Sequence, residues 1–145
     1  MRVIAVTDDS GGVVEPDWLA RAEPVHRQLR PQLPADYAGR MREIFASGAR
    51  LLIAIESEQV LGVALWRLIE NTAEGQRLYV DDLVTDEAQR SKGIGKLLLQ
   101  RLEQQAQDSG CSALTLDSGV QRASAHHFYF REGMHITSFC FKKKL

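Results

Sequence analysis

The sequence predicts an α+β protein built on a mixed sheet, not on a doubly wound parallel one. Three observations carry this. Strand-like and helix-like stretches follow the order β-α-α-β-β-β-α-β-α-β, so strict alternation occurs only in the second half. Two apolar runs, Arg50–Glu56 and Gln59–Leu68, are separated only by Ser57-Glu58, the signature of an antiparallel hairpin. All four prolines, Pro16, Pro24, Pro31 and Pro34, lie in the first quarter of the 145 residues, so nothing beyond Pro34 withholds a backbone N–H from regular structure. No repeat, linker or low-complexity run interrupts the chain, and residues 1–145 are expected to form one domain.

Each element has its own signal. Arg2–Val6 is a short apolar strand closed by the turn cluster Asp8–Gly12. Trp18–Leu29 and Pro34–Ala46 have helical character; the second carries Tyr37, Met41, Ile44 and Phe45 at helical spacing and ends before Gly48. The hairpin strands follow, then a polar loop, Asn71–Gly75, and a strand, Arg77–Val84. Ile94–Gln107 is the clearest helix, with Leu97, Leu98, Leu102 and Ala106 on one side and Gly110 as its stop. Ala113–Leu116 is a short strand, Ala123–Arg131 a helix stopped by Gly133, and His135–Lys142 is expected as a last strand.

Composition narrows the function. Eighteen Lys and Arg against nineteen Asp and Glu leave a charge of −1, which argues against a chain-wide basic surface for nucleic acid or acidic membrane. Two cysteines, Cys111 and Cys140, make no disulfide framework and are expected as buried free thiols. No run approaches the roughly 18 apolar residues of a membrane span, and Met1–Gly12 lacks the apolar centre of a signal peptide. A cytoplasmic protein is therefore expected. Lys142–Lys144 reads as a solvated tail.

The informative stretch runs from Leu83 to Lys96, out of a strand, through a polar loop, into the best helix. Gly93 and Gly95 sit at the helix start, where glycine costs about 0.8–1 kcal/mol against alanine once helical. Bare backbone lets a ligand approach the free N–H groups of the first turn, and the helix dipole favours an anion there. Arg90, Lys92 and Lys96 crowd the same turn, although cations oppose that dipole unless an anion is present. The combination describes a phosphate cradle. A Walker loop would need Gly at position 90 and Ser or Thr at 97, which hold Arg90 and Leu97. A dinucleotide fingerprint from Gly93 would need a small residue at Leu98.

Arg90-x-x-Gly93-x-Gly95 instead resembles the Arg/Gln-x-x-Gly-x-Gly/Ala motif of the GCN5-related N-acetyltransferases (GNAT), which bind the pyrophosphate of acetyl-coenzyme A. The resemblance covers nearly the whole chain: Leu83-Val84 end the preceding strand, Ala113–Leu116 follow the long helix, and Ala125, Phe128-Tyr129 and Gly133-Met134 stand at matching spacing behind them. Arg122 occupies a position where the family often has Asn, and from there it could reach a phosphate. The resemblance implies the acyl-CoA N-acyltransferase fold, a central mixed, mostly antiparallel sheet flanked by helices, and acetyl-CoA as cosubstrate without a metal. It implies that Leu83, Val84 and Thr85 pair with the pantetheine amides like an added strand. The cofactor phosphates would then meet Gln89, Arg90, Ser91, Lys92, Gly93, Ile94, Gly95 and Lys96, with Arg122, Ala125, Phe128 and Tyr129 completing the set.

Amine attack on a thioester needs a deprotonated amine, a stabilised oxyanion and a protonated leaving thiolate. Tyr129, one helical turn from Ala125, is the expected general acid; the resemblance implies that it lies near the cofactor sulfur. Asp81 and Asp82 break the apolar run of their strand and are the candidate bases, with Asp82 slightly favoured. Either one of them faces a cavity or a β-bulge re-aims both. A backbone N–H near Val84 is the expected oxyanion donor. His126 and His127 diverge on a helix and do not form a metal pair. Asp117-Ser118 either touch substrate or cap a turn.

The expected activity is acetyl transfer to a primary amine, by direct attack in a ternary complex, onto a small amine, an aminoglycoside, or a protein lysine or N-terminus. Trp18–Leu33, the Asn71–Gly75 loop and the last helix are expected to line the acceptor pocket, and the Asp81-Asp82 pair to suit a cationic amine. The alternatives are a non-catalytic coenzyme A-binding module and a general nucleotide-phosphate binder. Ile136–Lys142 is a candidate homodimer edge.

Overall fold

A computed structural model describes all residues, 1–145. They divide into two compact units, Met1–Thr115 and Leu116–Leu145.

A sheet of order β1-β2-β3-β4-β5 comprises Arg2–Ala5, Arg50–Glu56, Gln59–Asn71, Gly75–Thr85 and Ala113–Leu116, and all of it but Leu116 belongs to the first unit. β1 through β4 pair antiparallel in sequence order. β2 and the first half of β3, through Trp66, are buried continuously rather than alternately, because helices cover both faces there. On one face lie α1 (Pro16–Leu29) and α2 (Tyr37–Ala46), whose Leu19, Ala22, Val25, Met41 and Phe45 pack with Ile53, Ile55, Val63 and Leu65. On the other, α3 (Ile94–Asp108) buries Ile94, Leu98, Leu99 and Leu102. Gly62 of β3 permits that approach: a Cβ there would stand 2.8 Å from Ile94 Cγ2 and 2.9 Å from Leu98 Cδ1.

The α+β class and the central, mostly antiparallel sheet match expectation, with local shifts. α2 starts at Tyr37 rather than Pro34, because the Asp36 carboxylate accepts the Gly39 N–H at 3.0 Å and caps the helix there. β3 and β4 run further than expected, to a turn in which Asn71 Oδ1 accepts the N–H groups of Ala73 and Glu74. Cys111 is half-buried and Cys140 exposed, so neither thiol is the core filler expected.

In the second unit, α4 (Ala123–Arg131) ends at Gly133, whose φ of +84° lies in the left-handed region that glycine tolerates. The strand expected over His135–Lys142 is not formed. Ile136, Phe139 and Phe141 give the segment a β-prone composition, yet they are exposed, and no residue of the segment joins a ladder. Composition makes a segment compatible with a sheet, but a strand exists only where a neighbour hydrogen-bonds to it. The candidate dimer edge at Ile136–Lys142 therefore lacks the strand it rested on. No helix is long and apolar enough to cross a membrane.

Candidate active site

β4 carries an irregularity where the sequence placed its two carboxylates. Leu65 pairs with Asp82 and Trp66 with Val80, so Asp81 is an extra residue with no opposite number in β3. This is the expected β-bulge. It turns two consecutive side chains toward the α1 side, where ordinary pleating would send them to opposite faces.

The two carboxylates then have different surroundings. Asp82 is buried, and both of its oxygens are taken: Oδ2 lies 2.7 Å from His26 Nε2, and Oδ1 accepts from Arg30 Nε at 2.8 Å and Nη2 at 2.6 Å. Burial alone would raise its pKa, but the His26 hydrogen bond and the Arg30 guanidinium outweigh it and hold the carboxyl below the usual range. Asp81 is partly exposed, with Oδ2 accepting from Arg67 Nε at 2.8 Å. Its carboxyl is pushed up by burial, which the Arg67 guanidinium only partly offsets. Behind Asp82 the chain of contacts continues inward, with His26 Nδ1 lying 2.8 Å from the Tyr37 hydroxyl. Burial, with Glu23 and Asp82 nearby, raises the Tyr37 pKa, so this phenol stays protonated and can donate to Nδ1. The tautomer that satisfies every partner has Nε2–H donating to Asp82.

His26, Arg30, Tyr37 and Arg67 were not picked out from the sequence. Their partners lie 11 to 56 residues away, and no local spacing marks them. The one available signal was His26 and Arg30 at i and i+4, on one side of a helix.

Beyond the bulge, Leu83, Val84 and Thr85 pair with Ala64, Val63 and Gly62 of β3. β5 begins at the far end of β4, where the Ser112 N–H donates to the Gln76 carbonyl at 2.9 Å. Four residues starting there cannot reach Leu83 in either direction. Within this unit the outer backbone edge of Leu83–Thr85 is thus open to an extended ligand, as the pantetheine reading requires.

The loop then turns into α3. Asp86 caps a single 3-10 turn, Glu87–Gln89, by accepting the Ala88 N–H. Ser91 and Gly93 both adopt left-handed φ, +67° and +78°. Gly93 is the N-cap of the 15-residue helix and offers no side chain to its free N–H groups. A Cβ on Gly93 would meet nothing within 4 Å, so the space before the helix start is clear. Arg90, Lys92 and Lys96 are exposed and in no ion pair; Lys92 Nζ donates to Gln89 Oε1 at 2.6 Å, while Ile94 is buried beneath and anchors the turn. An uncapped dipole, an unobstructed backbone and three unpaired cations fit the pyrophosphate of a coenzyme A.

In the second unit, Arg122 is the N-cap of α4 and is exposed, Ala125 and Phe128 are half-buried, and Phe128 meets Tyr129 edge-on at 5.4 Å. Burial raises the Tyr129 pKa, and the Arg122 charge lowers it by less, so the hydroxyl keeps its proton. His126 Nε2 lies 2.8 Å from the Gly119 carbonyl, a structural contact. No group of three or more His, Cys, Asp or Glu side chains is placed to hold a metal ion.

Comparison with known proteins agrees with this geometry. The model of the acetyltransferase (GNAT) family matches residues 16–134. An uncharacterized N-acetyltransferase of Bacillus subtilis, YhdJ, is 32% identical over 130 residues, 88% of this chain and 91% of that protein. An aminoalkylphosphonate N-acetyltransferase of Salmonella typhimurium is 35% identical over 66 residues, 46% of this chain and 43% of that protein. Among solved structures, the aminoglycoside N-acetyltransferase AAC(6')-Iy in complex with CoA superposes with a TM-score of 0.83 at 15% identity, over 99% of this chain and 93% of that one, and shares its fold. The chain belongs to the acetyltransferase (GNAT) family and is an acetyl-CoA-dependent N-acetyltransferase.

Proposed function

We propose that residues 1–145 work as one cytoplasmic catalytic domain that acetylates a primary amine by direct attack in a ternary complex. Acetyl-CoA, when bound, supplies the thioester that the neutral amine attacks. The observation that carries the reading is the bulge at Asp81, which sets a carboxylate of raised pKa one strand-end before an open, glycine-led helix start. Asp81, with Oδ1 uncommitted, takes the proton of the acceptor ammonium directly or through water. Asp82 is bound on both oxygens and serves instead to hold α1 against β4. Arg90, Ser91, Lys92 and the N–H groups from Gly93 to Lys96 hold the phosphates, with Gln89 orienting Lys92 and Arg122 adding a further cation. Leu83, Val84 and Thr85 bind the pantetheine amides, and a backbone N–H near Val84 donates to the developing oxyanion. For the second unit we assign Ala125 and Phe128 to cosubstrate binding and the protonated Tyr129 hydroxyl to the leaving thiolate. The relative named for an aminoalkylphosphonate supports a small amine as acceptor.

The test is free-thiol release from acetyl-CoA by the purified chain across a panel of amines, with acetyl-CoA binding measured in parallel. Amine-dependent release is expected. Binding without release on any amine would overturn the reading in favour of a non-catalytic coenzyme A module.

A further inference from the structure

The α1-facing side of the β3-β4 hairpin, past the end of α1, holds cations whose hydrogen-bonding capacity is not used up. Arg67 stands opposite Tyr79 in the register, and such pairs project to one face. The Arg67–Asp81 ion pair brings Asp81 to that face as well. Arg30 arrives at the C-terminal end of α1, and its Nη2 donates to the Asp81 carbonyl at 3.3 Å. Two guanidiniums therefore flank the proposed base. Two carboxylates against two guanidiniums leave the local charge balanced, so the Asp81-Asp82 pair does not make the acidic surface expected for a polycationic acceptor.

Neither arginine is saturated. Arg67 commits only Nε, and Arg30 only Nε and Nη2; Nη1 and Nη2 of Arg67 and Nη1 of Arg30 make no hydrogen bond, and both side chains reach solvent. Each is held in place by an aspartate, so an incoming anion meets donors already oriented. A polyamine would set its further charges against these guanidiniums. An amine with its own anion is complementary: its ammonium meets the free Oδ1 of Asp81, and its acid meets the free arginine donors. Neighbouring guanidiniums also lower the pKa of the bound ammonium, which eases the proton loss that precedes attack.

We infer that the acceptor is an acidic amine, one bearing a carboxylate, phosphate or phosphonate a few bonds from its amino group, with Arg67 and Arg30 as the residues that select it. This rests on the acetyl-transfer reading above, and two separate readouts keep the two apart. Calorimetric titration of the full chain, loaded with coenzyme A, compares matched amines: 3-aminopropylphosphonate against 3-aminopropanol, β-alanine against its amide, and spermidine. Each acidic member is expected to bind about tenfold or more tightly than its neutral partner, the scale of one charge-assisted contact. Arg67→Gln should reduce that preference to about threefold or less, and Arg67→Lys should restore part of it. Equal binding within the matched pairs, tighter binding of spermidine, or no binding by any member would overturn the inference. Thiol release is measured on the same amines: preferential binding of the acids without release overturns the acetyl-transfer reading alone, and release without preference overturns this inference alone.

Discussion

Substituting the two adjacent carboxylates should separate stability from catalysis. Asp82→Ala removes the partner of His26 Nε2 at 2.7 Å and of Arg30 at 2.6 and 2.8 Å. His26 is only 1% exposed, so its abandoned N–H costs about 2 kcal/mol of uncompensated desolvation. The Arg30 side chain is 42% exposed, and water recovers most of its share, leaving about 0.5–1 kcal/mol. The sum, about 3 kcal/mol, corresponds to a fall in Tm of roughly 6–12 °C for a chain of this size. Asp82→Asn keeps the shape, lets the imidazole accept instead of donate, and should cost about 1 kcal/mol. Asp81→Asn removes a carboxylate that burial already disfavours as an anion, so stability should move by no more than about 0.5 kcal/mol. Its kcat/KM should fall by about 10²–10⁴-fold, the usual contribution of a general base. Urea denaturation and steady-state thiol release check the two halves. The Asp82 carboxyl lies below its ordinary 3.8 in the fold, so its stabilisation is present above that pH and lost as pH falls through the folded pKa. The advantage of wild type over Asp82→Asn should accordingly shrink below about pH 4. Wild-type stability in Asp82→Ala, or full turnover in Asp81→Asn, would refute the division of roles.

Other substitutions examine the remaining parts. Gly62→Val places methyl groups against Ile94 and Leu98 and should destabilise by about 1–3 kcal/mol while raising the KM for acetyl-CoA, because it lifts the first turn of α3 from the sheet; thermal melts and steady-state kinetics read both. Gly93→Glu places a carboxylate at the uncapped helix start on a left-handed backbone and should abolish acetyl-CoA binding in a calorimetric titration. Tyr129→Phe should lower turnover with little change in acetyl-CoA affinity, and wild-type turnover would show that the thiolate leaves without this phenol. Because the base must be ionised and its pKa is raised, the acid limb of kcat/KM should lie above pH 3.8 and disappear in Asp81→Asn.

Most of the fold was legible because its elements advertise themselves locally. The Ser57-Glu58 hairpin, the leucines of α3 and the glycine stops at Gly110 and Gly133 act over a few residues, and the structure keeps them nearly where they were expected. Propensity misled where a long-range partner decides. Residues 135–142 have the composition of a strand and form none, and β3 and β4 outrun their apolar cores because the two strands stay paired in register down to the Asn71 turn. The glycine-led start of α3 was legible for the opposite reason. Its donors belong to the backbone and its cations to the adjacent loop, so one contiguous stretch contains the whole feature.

The Asp81-Asp82 pair shows what a contiguous reading cannot supply. Adjacent acids in an apolar strand are visible, and the bulge they call for is present, but their charge is set by residues far along the chain: His26 and Arg30 on α1, Arg67 on β3. Those partners divide the pair into an anchor and the proposed base. The inner carboxylate is neutralised and immobilised, and the outer one keeps an oxygen free while burial raises its affinity for a proton. The position of the proposed base then depends on how α1 docks. His26→Ala, far from any bond that is made or broken, should leave Asp82 without its inner partner and loosen the turn of β4 that carries Asp81. Its effect should appear mainly in kcat, since Leu83–Lys96, the proposed cosubstrate site, lie beyond the bulge and take no support from the imidazole. An increase in the KM for acetyl-CoA equal to the loss in kcat would mean that the bulge and the phosphate loop move as one body, and that the anchor serves both.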